Sequence, residues 1–167
     1  EGQLNIYNWS DYIAEDTIAN FEAETGISVT YDVYDSNEVL EAKMMAGSSG
    51  YDLVVPTGDF LARGREAGVY ADINMSRLSN LGNQDQQVQG LATAQMQDTN
   101  AGLVDMWGTT GIAYNEEMVK ERLGDAAPTD SWSLILDPAN AAKLADCGIA
   151  ILDAPTDVLP NVIAYQG

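Results

Sequence analysis

The fold is decided by residues 4–34, LNIYNWSDYIAEDTIANFEAETGISVTYDVY, in which two strand-like segments flank a helical one. Residues 4–7 have the apolar character of a buried strand, and residues 27–34 alternate apolar and polar side chains, as strands do. Between them, residues 14–25 show helical spacing, and Gly26 stands just past the predicted helix end. The stretch therefore predicts a strand–helix–strand unit.

The alternation continues further along the chain. Asp35 and Glu38 have the spacing of a capping box, which predicts the start of a second helix. Residues 51–56 predict a short strand ended by proline, residues 58–66 a short helix, and residues 68–73 another extended piece. The order β-α-β-α-β-α-β is typical of an α/β fold with a mostly parallel sheet.

The remainder of the chain restarts this pattern without completing it. Residues 74–100 are rich in Gln and Asn and predict loop and short helix. Residues 103–115 predict two short extended pieces, residues 116–123 a helix, and residues 148–153 an apolar strand. A last helix is predicted from Pro155. These strands are too few for a second full sheet.

The charge balance narrows the possible partners. The chain contains 7 Lys and Arg residues and 26 Asp and Glu residues, which gives a formal net charge of -19. Such a surface does not suit nucleic acid or anionic membranes, which need basic residues. It attracts cations. The acidity could equally serve solubility alone.

The chain lacks the residues of several common chemistries. It has no His and a single Cys, Cys147, so it can build neither a Ser-His-Asp triad nor a Cys-rich metal site. The sequence contains no run of 18 apolar residues, the pattern that would predict a membrane span. The first strand begins within a few residues of Glu1, which is expected of a processed secreted protein and equally of a trimmed chain.

Two polar segments follow predicted strands directly. One is residues 9–12, Trp-Ser-Asp-Tyr, and the other is residues 56–60, Pro-Thr-Gly-Asp-Phe. In a parallel sheet the carboxyl ends of strands form one edge, where ligands bind, so both segments are expected on one rim. A ring, a hydroxyl and a carboxylate side by side suit an organic cation.

Each residue also has an ordinary structural interpretation. Trp9 could be a half-buried aromatic at a strand end. Asp11 could cap the helix predicted from residue 14, and Asp59 could do the same for its helix. Asp157 could simply favour the dipole of the last helix.

Several stretches together resemble a known family, the periplasmic polyamine-binding proteins of ABC transporters, of the putrescine- and spermidine-binding type. They are residues 4–61 and the segments MWGTTGIAYN, DSWSLILDPAN and CGIAILDAPTDVL. The resemblance covers nearly the whole chain apart from residues 83–102.

The resemblance implies a type II periplasmic-binding-protein architecture, in which two α/β lobes hold the ligand between them. Residues 1–106 would be the first lobe, residues 107–111 a crossing segment or hinge, and residues 112–167 the beginning of the second lobe. Family members are roughly twice as long as this chain, as two such lobes require. The first lobe is therefore expected to be mostly present and the second incomplete.

The resemblance also assigns ligand contacts in the first segment. Trp9 and Tyr12 would supply the aromatic wall, Ser10 a hydroxyl, and Asp11 an acid near one amine end.

Further contacts are implied outside that segment. Thr57 would supply a small hydroxyl. Asp59 stands where relatives often carry a neutral residue, which puts strict preference for putrescine in question. Asp157 aligns with an acid, often Glu, that grips an ammonium. Cys147 matches a cysteine that in relatives pairs with one in the half this chain does not include.

The implied function is capture of a polyamine, putrescine first and spermidine second, and its delivery to an inner-membrane ABC transporter permease. The protein would be a periplasmic, non-enzymatic monomer at full length, without cofactor or metal, nucleic-acid partner or membrane insertion. Two alternatives stay open: a binding protein of the same fold for another small cationic or metal solute, and a hydrolase using paired carboxylates.

Overall fold

The computed structural model describes residues 2–97 and 100–167. Its strands are β1 (Gln3–Trp9), β2 (Ser28–Tyr34) and β3 (Leu53–Val54). Its helices are α1 (Thr17–Thr25), α2 (Asn37–Met45), α3 (Gly58–Glu66), α4 (Gln86–Gln95), α5 (Glu116–Leu123), α6 (Ser133–Leu136), α7 (Pro138–Leu144) and α8 (Pro155–Gln166). The chain divides into two compact units, Glu1–Trp107 and Gly108–Gly167.

The first unit is built on a parallel sheet with strand order β2-β1-β3. The register pairs Trp9 with Tyr34, so β1 and β2 end side by side, and pairs Tyr7 with Val54. The predicted α/β class with a parallel sheet is confirmed. All three strands end at the same edge, because parallel strands share one direction.

The core of this unit forms between the sheet and α2. Leu40 and Met44, four residues apart on α2, are buried against Tyr7 and Tyr34 of the two long strands. Residues four apart face the same side of a helix, so this packing fixes α2 on one face of the sheet.

Two predicted helix starts are corrected. Helix α1 begins at Thr17 and not at residue 14, because the turns that follow β1 continue to Asp16, which occupies the cap position. Helix α2 is capped by Ser36 and not by Asp35: the Ser36 side chain accepts from the Val39 amide at 3.2 Å.

The extended piece predicted for residues 68–73 is not a strand. Gly68 has a φ of 76° and turns the chain, and the Ile73 amide instead donates to the Asn100 carbonyl at 2.8 Å. Strand β3 is also shorter than the predicted 51–56, in part because Pro56 has no amide hydrogen for a ladder.

The second unit consists of helices α5 to α8 joined by loops. Val119, Leu134 and Leu144 form its core, and α5 and α8 confirm the predicted helices. The strands predicted at residues 103–115 and 148–153 are wrong: no strand occurs within 108–167 or in the described residues just before it. An apolar segment becomes a stable strand only beside a partner that accepts its backbone hydrogen bonds.

Candidate binding site

The site is built where the three strands of the first unit end. Trp9 is the last residue of β1, Tyr34 is the last of β2, and Val55 follows β3 directly. We call this edge, together with the loops that leave it, the rim. The rim brings together the six residues predicted in the first unit, because residues 9–12 lie at and after the end of β1 and residues 57–59 follow β3.

The Val55 carbonyl organises the aromatic side chains of the rim. It accepts from the Trp9 indole Nε1 at 2.8 Å and also from the Tyr34 hydroxyl. The two rings lie 4.7 Å apart between centroids. Burial raises the pKa of Tyr34 well above its ordinary value, with neighbouring tyrosines adding to the effect, so this residue remains a hydroxyl donor.

Tyr12 extends this arrangement toward solvent. Its ring lies 6.0 Å from that of Trp9, with 27° between the planes, and its side chain is exposed. Tyr34, Trp9 and Tyr12 thus form an aromatic wall that runs from buried to exposed. Such faces line methylene groups and attract cations.

Asp11 lies in the turn that follows β1, and its helix-cap interpretation is wrong. Helix α1 begins six residues later, at Thr17, with Asp16 at the cap position. Its φ of 60° is one that Asp tolerates better than most residues. No hydrogen bond or ion pair joins the exposed Asp11 carboxylate to another described residue.

Two hydroxyl–carboxylate pairs lie on the rim. Ser10 Oγ donates to Asp35 at 3.1 Å, and Thr57 Oγ1 donates to Asp59 at 2.7 Å. Asp35 follows β2 and Asp59 lies in the first turn of α3. The predicted hydroxyls Ser10 and Thr57 are therefore each held by an acid.

A buried amide ties two of the rim loops together. The Asn37 side chain, 6% exposed, accepts from the Thr57 backbone amide at 3.1 Å. Asn37 begins α2, so this bond links the loop after β2 to the loop after β3. This hydrogen bond fixes the position of the Thr57 backbone relative to the start of α2.

The rim is electrostatically negative. Among the described residues, none of Asp11, Asp35 and Asp59 pairs with Lys or Arg; the ion pairs present lie elsewhere, as in Arg65 with Asp72 at 2.8 Å. Arg65 holds the pKa of Asp72 below its usual range. Carboxylates without a protein cation beside an aromatic wall favour a cationic ligand.

Sequence reasoning missed part of this rim. Tyr34, Asp35, Asn37 and Val55 belong to it, through a ring contact, hydrogen bonds and the strand ends. The signal was available, because the strand-end rule applied to β1 and β3 also points to the residues after β2.

Asp157 belongs to the second unit. It is exposed in the first turn of α8, two residues after the Pro155 that opens the helix. Val158 and Val162 of the same helix line a cavity of about 450 Å³ whose walls are mostly apolar. Mostly apolar walls supply few acceptors for the ammonium groups of a dication. This cavity is therefore not a second candidate site for the predicted ligand.

Metal-binding geometry is not found in the part of the chain that the structure describes. No group of three His, Cys, Asp or Glu is placed to hold a metal ion there. Cys147 is a free, exposed thiol. No helix among residues 2–97 and 100–167 combines the length and the apolarity needed to cross a bilayer.

The class of protein follows from a comparison of the chain with family models. Residues 16–162 match the family described as bacterial extracellular solute-binding protein, and the chain belongs to that family. The resemblance seen in the sequence is confirmed, and so is a location outside the cytoplasm.

Individual relatives narrow the comparison. The chain is 54% identical to the putrescine-binding periplasmic protein PotF of Escherichia coli strain K12, over 98% of this chain and 44% of that protein. It is 50% identical to the putrescine-binding periplasmic protein SpuD of Pseudomonas aeruginosa strain UCBPP-PA14, over 98% of this chain and 45% of that protein. It therefore spans less than half the length of these relatives.

A solved structure supports the fold. A Listeria monocytogenes protein described as a spermidine/putrescine ABC transporter superposes with a TM-score of 0.71 at 33% identity. The match covers 83% of this chain and 41% of that one.

Proposed function

We propose that the chain belongs to a periplasmic protein that captures a polyamine, putrescine first, and delivers it to an ABC transporter in the inner membrane. The observation that carries this proposal is the aromatic wall of Trp9, Tyr12 and Tyr34 beside carboxylates that have no protein cation. The names of PotF and SpuD support it, since both are putrescine-binding periplasmic proteins.

The chemistry of the rim matches that of the ligand. A polyamine is an apolar chain that carries ammonium groups. Ring faces line the methylenes and attract each cation by about 0.5–2 kcal/mol, and carboxylates accept charge-assisted hydrogen bonds. Binding of this kind needs no base, nucleophile or metal, and the relatives are binding proteins rather than enzymes.

The delivery step requires that a transporter distinguish loaded from empty protein. The family resemblance implies a ligand held between two lobes, with Asp157 supplying an acid from the second. A dication that contacts both lobes would favour their closed arrangement, because only there do both sets of contacts form.

Titration calorimetry on the intact protein tests the proposal. Putrescine and spermidine are expected to bind, whereas calcium and glycine are not. The last two probe the alternatives of a metal solute and of another small solute. Binding of calcium with no heat from either polyamine would contradict the proposed function.

A further inference from the structure

The hydroxyl and indole donors of the rim share one property: all but one of them donate to an acceptor within the protein. Trp9 Nε1 and the Tyr34 hydroxyl donate to the Val55 carbonyl. The Ser10 and Thr57 hydroxyls donate to Asp35 and Asp59. Tyr12 is the exception, since its hydroxyl has no such partner among the described residues.

The direction of the two hydroxyl bonds is set by chemistry. An ionised carboxylate can only accept, so the protons of Ser10 and Thr57 must point toward their acids. The lone pairs of each hydroxyl oxygen are then left to accept from something else. Toward a ligand, each hydroxyl is an acceptor and not a donor.

Thr57 shows that this arrangement is not ordinary helix capping. It occupies the cap position of α3, where a Thr hydroxyl oxygen commonly accepts from a helix amide. Here the side chain makes no cap hydrogen bond and donates to Asp59 instead. Its lone pairs are therefore not used by the helix.

We propose that Asp35 and Asp59 are positioning residues that set specificity: by holding the protons of Ser10 and Thr57, they make both hydroxyls acceptors and so favour diamines over amino acids of the same chain length. The inference rests on the proposed function and deepens it. An ammonium only donates and suits such a site, whereas a carboxylate only accepts and would leave both sides unpaired.

Putrescine and ornithine are the matched probes. Ornithine is putrescine with a carboxylate on one terminal carbon, so the two differ in the acceptor group alone. The measured quantity is the ratio of their dissociation constants in the intact protein, obtained by calorimetry at fixed ionic strength. We expect the unaltered protein to favour putrescine by at least about a hundredfold.

A double-mutant cycle separates positioning from charge. Asp35→Asn and Ser10→Ala are each expected to narrow the ratio about tenfold, and the double variant to narrow it no further than either one. Thr57→Ala and Asp59→Asn form a second cycle with the same expectation. Ser10→Thr keeps a hydroxyl and is expected to keep the ratio.

Asp32→Asn is the matched control. Asp32 also accepts from a hydroxyl, that of Tyr51 at 2.7 Å, and is also exposed, but it lies within β2 and not on the rim. The Asp32→Asn variant measures how the loss of one exposed carboxylate charge alone affects the ratio of the two dissociation constants. We expect that ratio to change little.

The specificity proposal and the proposed function are contradicted by different results. If Asp35→Asn and Ser10→Ala narrow the ratio multiplicatively, the acid acts by charge alone and the positioning role is overturned. If the unaltered protein binds neither putrescine nor spermidine, the proposed function itself fails, and the specificity proposal fails with it.

Discussion

Trp9 and Tyr34, the paired last residues of β1 and β2, donate to one acceptor, the carbonyl of Val55 after β3. Three strand ends are thereby joined through two side chains. A register shift of one residue would turn each side chain to the other face of the sheet. The register that builds the core therefore also places the aromatic wall.

Replacement of Trp9 tests that wall directly. Trp9→Ala should weaken polyamine binding in the intact protein by about 1–3 kcal/mol, since it removes both apolar contact and cation–π attraction. Trp9→Phe keeps a ring and should lose less, although the bond to Val55 is gone. Calorimetry measures the affinities, and thermal unfolding checks that both variants are folded. Unchanged affinity in both variants would return Trp9 to the role of a strand-end packing residue.

Tyr34 makes the free energy of unfolding fall as the pH rises above about 10. Its pKa is raised in the folded state, mainly by burial, whereas in the unfolded chain its pKa is about 10. Its contribution is therefore fully present below about pH 10 and lost as the pH rises further, because only the unfolded state releases the proton.

Tyr34→Phe should accordingly make the free energy of unfolding fall less steeply above about pH 10, by up to about 1.4 kcal/mol per pH unit. Denaturant unfolding at a series of pH values measures the slope. Some slope should remain, since burial also raises the pKa of Tyr70. Equal slopes in the variant and the unaltered protein would show that Tyr34 ionises normally when folded.

Asp11 allows charge and backbone conformation to be separated. Asn also tolerates a positive φ, so Asp11→Asn should leave the free energy of unfolding nearly unchanged and weaken putrescine binding about ten- to a hundredfold. Asp11→Ala should weaken binding and also cost about 1 kcal/mol of stability. Asp11→Gly is the control that removes the side chain without strain. If Asp11→Asn binds putrescine as tightly as the unaltered protein, the acid does not contact the ligand.

The first unit was largely predictable because its signals are local. Helix α3 lies at 58–66 as predicted, since Pro56 stops the strand before it and an apolar face follows. The start of α1 at Thr17 and the cap of α2 at Ser36 differ from the prediction, because both depend on the conformation of the preceding turns, which composition does not encode.

The strand predicted at residues 148–153 failed for a different reason. Ile149, Ile151 and Leu152 have the apolar character of a buried strand but are exposed here. Apolar composition indicates that a segment can form a strand, whereas a stable strand also needs a neighbouring strand to accept its backbone hydrogen bonds. The rim contacts of Asp35 and Asn37 were likewise hidden, because they depend on which loops the strand order makes neighbours.

Two helical glycines make a matched test of packing. A Cβ on Gly64 in α3 would lie 2.7 Å from Cδ2 of Tyr70, closer than atoms can pack, whereas Gly90 in α4 has nothing within 4 Å. Gly64→Ala should cost about 1–3 kcal/mol of unfolding free energy, and Gly90→Ala should add about 0.5–1 kcal/mol. Denaturant unfolding measures both. A Gly64→Ala protein as stable as Gly90→Ala would mean that Tyr70 moves aside freely.

Asp157 tests whether the second unit takes part in binding. A charge-assisted hydrogen bond to an ammonium is worth about 1.5–3 kcal/mol, so Asp157→Asn should weaken putrescine binding about ten- to a hundredfold in the intact protein. Asp130→Asn, which neutralises another exposed acid of the same unit, is the control and should bind normally. Small-angle scattering with and without saturating putrescine should show ligand-driven compaction that is reduced in Asp157→Asn. If the curve of the unaltered protein does not change with ligand, closure is not part of the mechanism, even where Asp157→Asn weakens binding.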